Sequence, residues 1–212
     1  MKPEMIDQMI EALKLNEAIE LDHIPNLELY IDQVITLFEE KLEHTKRNES
    51  DKLLTKTMIN NYAKDKLLMP AKKKKYTREH IILMILLYEM KQVLTISDIK
   101  QLFSSLIQED QVDSKKLVQL YQIYLKLREM EIRTFKQEVT VMNDNLEEKL
   151  KESGAEAYIQ EVSSKETSGK ENVSNEIEDL LMIIMLTQKA NYYKRLAEKM
   201  IDEKMGIAPT NK

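Results

Sequence analysis

Four consecutive lysines, Lys72, Lys73, Lys74 and Lys75, are the densest concentration of one chemistry in this chain. Crowded ammonium groups attract polyanions, phosphate esters above all. The run lies in a stretch from Lys52 to Arg78 that holds nine basic residues and a single acid, Asp65. That stretch carries +8 in a chain whose net charge is −5, which leaves −13 for the remainder. Screening limits a surface charge to a reach of about 8–10 Å, so a polyanion meets the local field and not the molecular total. A lysine run alone also describes an ordinary solvated loop, and its neighbours must decide between the two readings.

The neighbour upstream is informative. Residues from Thr55 to about Leu67 read as a helix with Thr55 as N-cap, stopped by Met69-Pro70 because proline disfavours helix in the residue before it. At about 100° per residue, Leu54, Met58, Ile59 and Tyr62 fall on one side and would pack inward. Lys56, Thr57, Asn60, Asn61 and Lys64 gather on the other. Lysines suit phosphates, and an asparagine amide can bond bidentately to adenine in the major groove. A merely solvated face would accept glutamate as readily as lysine, yet this segment places no acid there. Those five residues, the lysines of the run and Arg78 are the candidate contacts to double-stranded DNA.

The elements that must hold them are helical. Charged residues make up 33% of the chain, aromatics 6%, and only three glycines and four prolines interrupt 212 residues, a composition that favours an all-α fold. Apolar spacing predicts a helix over 3–15, a second opened by Pro25 with Leu27, Tyr30, Ile31, Val34, Ile35, Phe38 and Leu42 inward, and the Thr55 helix. A fourth begins at Thr77 with His80 behind it and buries Ile81, Ile82, Ile85, Leu86 and Met90; a short fifth runs from Ile99 to Ile107, capped by Thr95 or Ser97. From Asp113 a long helix extends to about Lys151, with Leu117, Leu120, Tyr121, Tyr124, Leu127, Phe135, Val139, Met142, Leu146 and Leu150 on its stripe. It is too long to bury against a small domain, which suggests a coiled-coil arm or dimer helix; the other possibility is a bundle with the last helix. Residues 152–174 contain two of the three glycines and much of the local serine and read as a flexible linker before a C-terminal helix over 175–205. The expected organisation is a helical DNA-binding domain over 1–108, a long helix over 112–151, the linker and the last helix.

The stretch MINNYAKDKLLMPAKKKKYTREHI, followed by LYEMKQVLTISDIKQLF, resembles the winged helix-turn-helix of the MerR family. Ile59 and Tyr62 stand where that family's recognition helix has Ile and Tyr, and Leu67, Leu68 and Pro70 match its Leu-Leu-x-Pro turn. Lys74 and Tyr76 match the Arg-x-Tyr of its wing, and Leu94, Ile99, Lys100 and Leu102 match its closing helix. The sequence departs in having Asn60 and Asn61 for Arg-Tyr, Lys66 for a glycine, and a shorter wing. The whole chain resembles a Firmicutes family that carries a MerR-like helix-turn-helix and has no established function. The resemblance implies that Tyr76 joins the DNA-binding residues. It also implies a homodimer whose recognition helices enter successive major grooves, with the helix after Asp113 as its dimerisation helix.

Other chemistries find little support. No glycine precedes Gly154, so no phosphate-binding glycine loop or nucleophile elbow is available before it, and His23, His44 and His80 have no metal-ligand spacing. Neither catalysis nor a cofactor or metal is expected. With no cysteine, a thiolate metal site and a disulfide framework are excluded. The longest apolar run, Leu180 to Leu186, is far shorter than the roughly 20 residues of a membrane span, and the acidic start lacks a signal peptide's basic region; a cytoplasmic protein is expected. Met182, Met185, Tyr192 and Tyr193 either line an effector pocket or, as is commoner at such spacing, serve as core. The competing functional reading is a helical protein–protein interaction module that does not bind DNA.

Overall fold

The computed structural model describes residues 3–154 and 170–205. They are mainly helical: α1 (Pro3–Ala12), α2 (Ile31–Leu42), α3 (Lys56–Lys64), α4 (Arg78–Met90), α5 (Ile96–Phe103), α6 (Ser114–Glu152) and α7 (Lys170–Lys204). Two ladders of two-residue strands, β1 (Leu29–Tyr30) with β2 (Lys75–Tyr76) and β3 (Ile107–Gln108) with β4 (Gln111–Val112), are both antiparallel and depart from the all-α expectation. No helix among the described residues is long and apolar enough to cross a membrane.

The chain divides into two compact units, one of Asn16–Glu129 and Lys194–Lys212, the other of Met1–Leu15 and Met130–Tyr193. The first is built around α4, whose residues from His80 to Tyr88 are all buried. A helix buried on every side shows no amphipathic stripe, so it must be surrounded. Val34, Phe38 and Leu42 of α2, Ile59 and Tyr62 of α3, Ile99 and Phe103 of α5, and Leu117 and Tyr121 of α6 share its core cluster. Phe38 meets Tyr88 edge to face at 6.4 Å, and the Tyr88 hydroxyl is 2.6 Å from Thr45 Oγ1. Ahead of β1, Ile19 and Ile24 are buried anchors, and the Tyr121 hydroxyl donates to the Ile19 carbonyl at 2.7 Å. In the second unit, Ile6 and Ile10 of α1 pack with Val139 of α6 and Met182 of α7, so the long and last helices do meet within one chain, the possibility that stood beside the expected coiled-coil arm.

Several boundaries differ from expectation. Pro25 does not open α2, which starts at Ile31 because Leu29 and Tyr30 are extended and paired with β2. The N-terminal helix belongs to the unit that holds Met130–Tyr193 and not to the unit that holds α3. Ile107 lies in β3 and not in α5, whose N-cap is Thr95 with Asp98 reciprocating. Most of the linker expected over 152–174 lies outside the described residues, and α7 begins five residues earlier than the expected 175, at Lys170. Of the Met and Tyr cluster, only Met182 is core; Met185, Tyr192 and Tyr193 are exposed.

Candidate nucleic-acid interface

Helix α3 starts where the sequence indicates. Thr55 adopts an extended backbone and its hydroxyl accepts from the Met58 N–H at 3.1 Å. The helix ends sooner than expected because Lys66 sits in the left-handed region at φ +60°. The Leu67 N–H then returns to the Tyr62 carbonyl at 2.8 Å and the Lys66 N–H to the Ala63 carbonyl at 3.2 Å, the paired bonds of a Schellman cap. Leu67, Leu68 and Met69 turn inward as a result. Lys66 thus occupies the backbone conformation that glycine takes most easily, at the position where the MerR pattern has glycine.

Ile59 and Tyr62 are buried, whereas Lys56, Thr57, Asn60, Asn61 and Lys64 are exposed on the outer face. The prediction that no acid faces these residues needs a correction from tertiary structure. Asp32 of α2 lies 2.6 Å from Lys56 Nζ, both groups well exposed. A solvated pair of this kind contributes little stability and is easily exchanged.

The lysine run forms a tight reversal. The Lys75 N–H donates to the Lys72 carbonyl at 2.9 Å, and the two central residues, Lys73 and Lys74, have φ of +52° and +61°. Two consecutive left-handed residues define a type I′ turn, which asparagine and glycine favour and lysine does not. Below the tip, Tyr30 pairs with Lys75 and Leu29 with Tyr76. The Lys75 ammonium lies 5.4 Å from the centre of the Tyr30 ring. Lys72, Lys73 and Lys74 are exposed, and among the described residues none of them joins an ion pair.

Two expected contacts are scaffold instead. Tyr76 is 7% exposed and meets His80 edge to face at 5.5 Å. Its place in the β1–β2 ladder turns its ring into the core next to α4, so it cannot reach a ligand. Arg78 is half-buried and donates to the Leu21 carbonyl at 2.5 Å, which ties the irregular segment before β1 to the start of α4.

Sequence reasoning missed Tyr30, Asp32 and His80. A two-residue strand is too short for a period-two signal, and nothing near Asp32 in sequence marks its meeting with Lys56. Buried His80 accepts the Thr77 N–H on Nδ1 at 3.1 Å, leaving Nε2 to donate to the Met69 carbonyl at 3.2 Å. It therefore locks the Met69-Pro70 turn to the base of the lysine turn. Burial pushes its pKa below the ordinary histidine value, against the opposing pull of the Met69 carbonyl and Glu79. The sequence placed His80 just behind Thr77 at the start of α4, and the structure shows the two reciprocating there as a capping box.

A basic, ligand-accessible turn thus stands on the same α2 scaffold as the outward-facing α3, within a mainly helical unit. The model of a domain of unknown function, DUF1836, matches residues 19–124, half of the chain, and the chain belongs to that family. The match runs from the buried anchor Ile19 to Tyr124 and so takes in α3, the lysine turn and all of α4. No curated protein and no solved structure matches the chain.

Proposed function

We propose that this chain is a sequence-specific regulator of transcription that binds double-stranded DNA in the cytoplasm as a homodimer. In this reading α3 is the recognition helix of a MerR-like winged helix-turn-helix, and the turn over Lys72–Lys75 is its wing. Asn60 and Asn61 read base edges, Lys56 and Lys64 meet phosphates beside them, and Lys72, Lys73 and Lys74 grip the flanking backbone. Tyr76, His80 and Arg78 hold the wing's base and touch no DNA.

The observation that carries this reading is the lysine pair at the two left-handed positions of the turn. A turn with no task beyond reversing the chain is easier to make with Asn-Gly, whereas lysines there place two unpaired cations at a protruding tip. The experiment is binding of the full chain to its own upstream DNA and to a scrambled duplex across a salt series. Preferential binding that weakens steeply with salt is expected. Asp32→Asn, which frees Lys56, should tighten binding about two- to fivefold, the scale of an exposed ion pair. Equal affinity for both duplexes, or no binding at low salt, overturns the proposal. The helical interaction module would then be favoured by the exposed apolar side chains of α6 and α7, Leu127 and Ile183 among them.

A further inference from the structure

Helix α6 presents two faces, and among the described residues only one of them is covered. Leu117, Tyr121, Leu125 and Ile132 are buried, whereas Leu120, Ile123, Leu127 and Met130 are 36%, 52%, 54% and 56% exposed. The exposed four are spaced three, four and three residues apart, the a and d positions of a heptad with Leu120 at a. Lys116 precedes this stripe at a d position and Thr134 follows it at an a position, so it has polar ends. Large aliphatic side chains in a contiguous row are not what a solvated helix face carries.

The flanking charges identify what covers the row. With Leu120 at a, the g positions are Gln119, Lys126 and Arg133, and the e positions are Tyr124, Glu131 and Glu138. One flank is thus basic and the other acidic. In a parallel two-stranded coiled coil, each g residue faces the e residue five positions later on the partner helix. Lys126 then meets Glu131 and Arg133 meets Glu138, each twice by symmetry. An antiparallel pair would instead set g against g and e against e, bringing cation to cation and acid to acid. Among the described residues Lys126, Glu131 and Arg133 join no ion pair within the chain, while Glu138 holds Lys189.

We infer that a second copy of this chain docks on α6 along Leu120–Arg133, parallel and in register, with Lys126 of each helix paired to Glu131 of the other. The inference deepens the dimer in the proposed function and rests on that part of it, but it requires no DNA. The pairing uses a helix already held by the fold, so the cost of helix nucleation that defeats short isolated coiled coils does not apply.

The absence of cysteine makes the orientation measurable in the full chain. Leu120→Cys and Met130→Cys place single thiols about 15 Å apart along the helix, ten residues at 1.5 Å each. Under mild oxidation, each variant alone should form a covalent dimer, and a mixture of the two should give no cross-linked heterodimer beyond background. Cross-linking that appears only in the mixture means an antiparallel pair and overturns the inference. In sedimentation, Lys126→Glu or Glu131→Lys should weaken the dimer about five- to tenfold, and the double exchange should restore it. Leu127→Glu should yield a monomer that keeps its helical circular dichroism and melting temperature, because the side chain is solvent-facing in the protomer. A wild-type chain that sediments as a monomer at all concentrations overturns the inference even if it binds DNA. A cross-linked parallel dimer that ignores DNA upholds it and removes the DNA-binding reading.

Discussion

Among the described residues, two hairpin turns share the same left-handed pair and carry opposite charge. At the first, Lys73 and Lys74 occupy the two left-handed positions; at the second, between β3 and β4, Glu109 and Asp110 do so at φ +50° and +58°. The geometry of a two-residue type I′ turn therefore demands neither sign of charge. The supports differ. The lysine turn stands on buried Tyr76, braced by His80, and is joined to the outside of a further strand by the Tyr30–Lys75 pair. The acidic turn rests on half-buried Ile107 and Val112, pairs only with itself, and joins α5 to α6. Aspartate tolerates the left-handed region because its short carboxylate bonds locally, so Asp110 eases one position of the acidic turn; Lys73 and Lys74, like Glu109, have no such excuse. One turn looks like a connection; the other holds cations in place.

That contrast breaks first at the supports. Tyr76→Ala removes a buried aromatic from the main core and should cost about 3–5 kcal/mol in urea unfolding, the range for large-to-alanine changes in cores. Val112→Ala, under the acidic turn, should cost about 1 kcal/mol or less, since half the side chain is already in water. Equal losses would mean that the lysine turn is no better anchored than its counterpart. The tips come second. Lys73→Glu with Lys74→Glu should lower affinity for any duplex at least about tenfold and reduce the slope of log affinity against log salt by roughly two, about 0.9 per lost phosphate contact. Glu109→Lys with Asp110→Lys should leave preference between duplexes unchanged. If both charge exchanges act alike, binding follows net charge and the lysine turn has no special place.

Much of the framework that positions these turns was legible in the sequence, because helix starts are written in short-range chemistry. Thr55, Thr77 and Thr95 are all N-caps, and the outer face of α3 carries the five residues that its periodicity indicated. What escaped depends on partners distant in sequence or on backbone states that residue type does not announce. Left-handed Lys66 shortens α3, and lysine gives no sign of that conformation where glycine would have. Leu29 and Tyr30 leave the helix that Pro25 was expected to open because β2 lies more than 40 residues away to receive them. Arg78 looks like a binding residue by type and Tyr76 by its match to the MerR wing, and only the Leu21 carbonyl and the ladder show that they face inward.

Acid should separate the supports before it reaches carboxylates. His80 is buried in its neutral form and its folded pKa lies below the ordinary value of about 6.5. Below that ordinary value the unfolded chain takes up a proton that the folded chain refuses, so stability falls as pH drops from about 6.5 toward the folded pKa. Burial opposes ionisation of Glu79, but hydrogen bonds from Ser114 and Thr77 outweigh it and hold its pKa below the usual carboxylate range. Its contribution is present above that range and is lost only at lower pH, as protonation reaches the folded value. Urea midpoints measured from pH 7 to 5 should therefore decline in the wild type and decline less in His80→Gln. A parallel decline in both would remove His80 as the group that titrates.

The smallest effect isolates backbone strain from charge. Lys73→Asn with Lys74→Gly supplies the residues that a type I′ turn favours and should raise stability by about 1 kcal/mol, while DNA affinity falls as it does for the glutamate exchange or somewhat less. The same pair at the acidic turn, Glu109→Asn with Asp110→Gly, should gain less, because Asp110 already tolerates its conformation better than lysine does. A lysine turn that becomes more stable and binds less tightly is one in which strain persists because the cations are needed at the tip. If the substitution leaves stability unchanged, lysine sits in the left-handed region at no measurable cost. The turn's geometry would then cease to be evidence for its function, and the case would rest on the outer face of α3 alone.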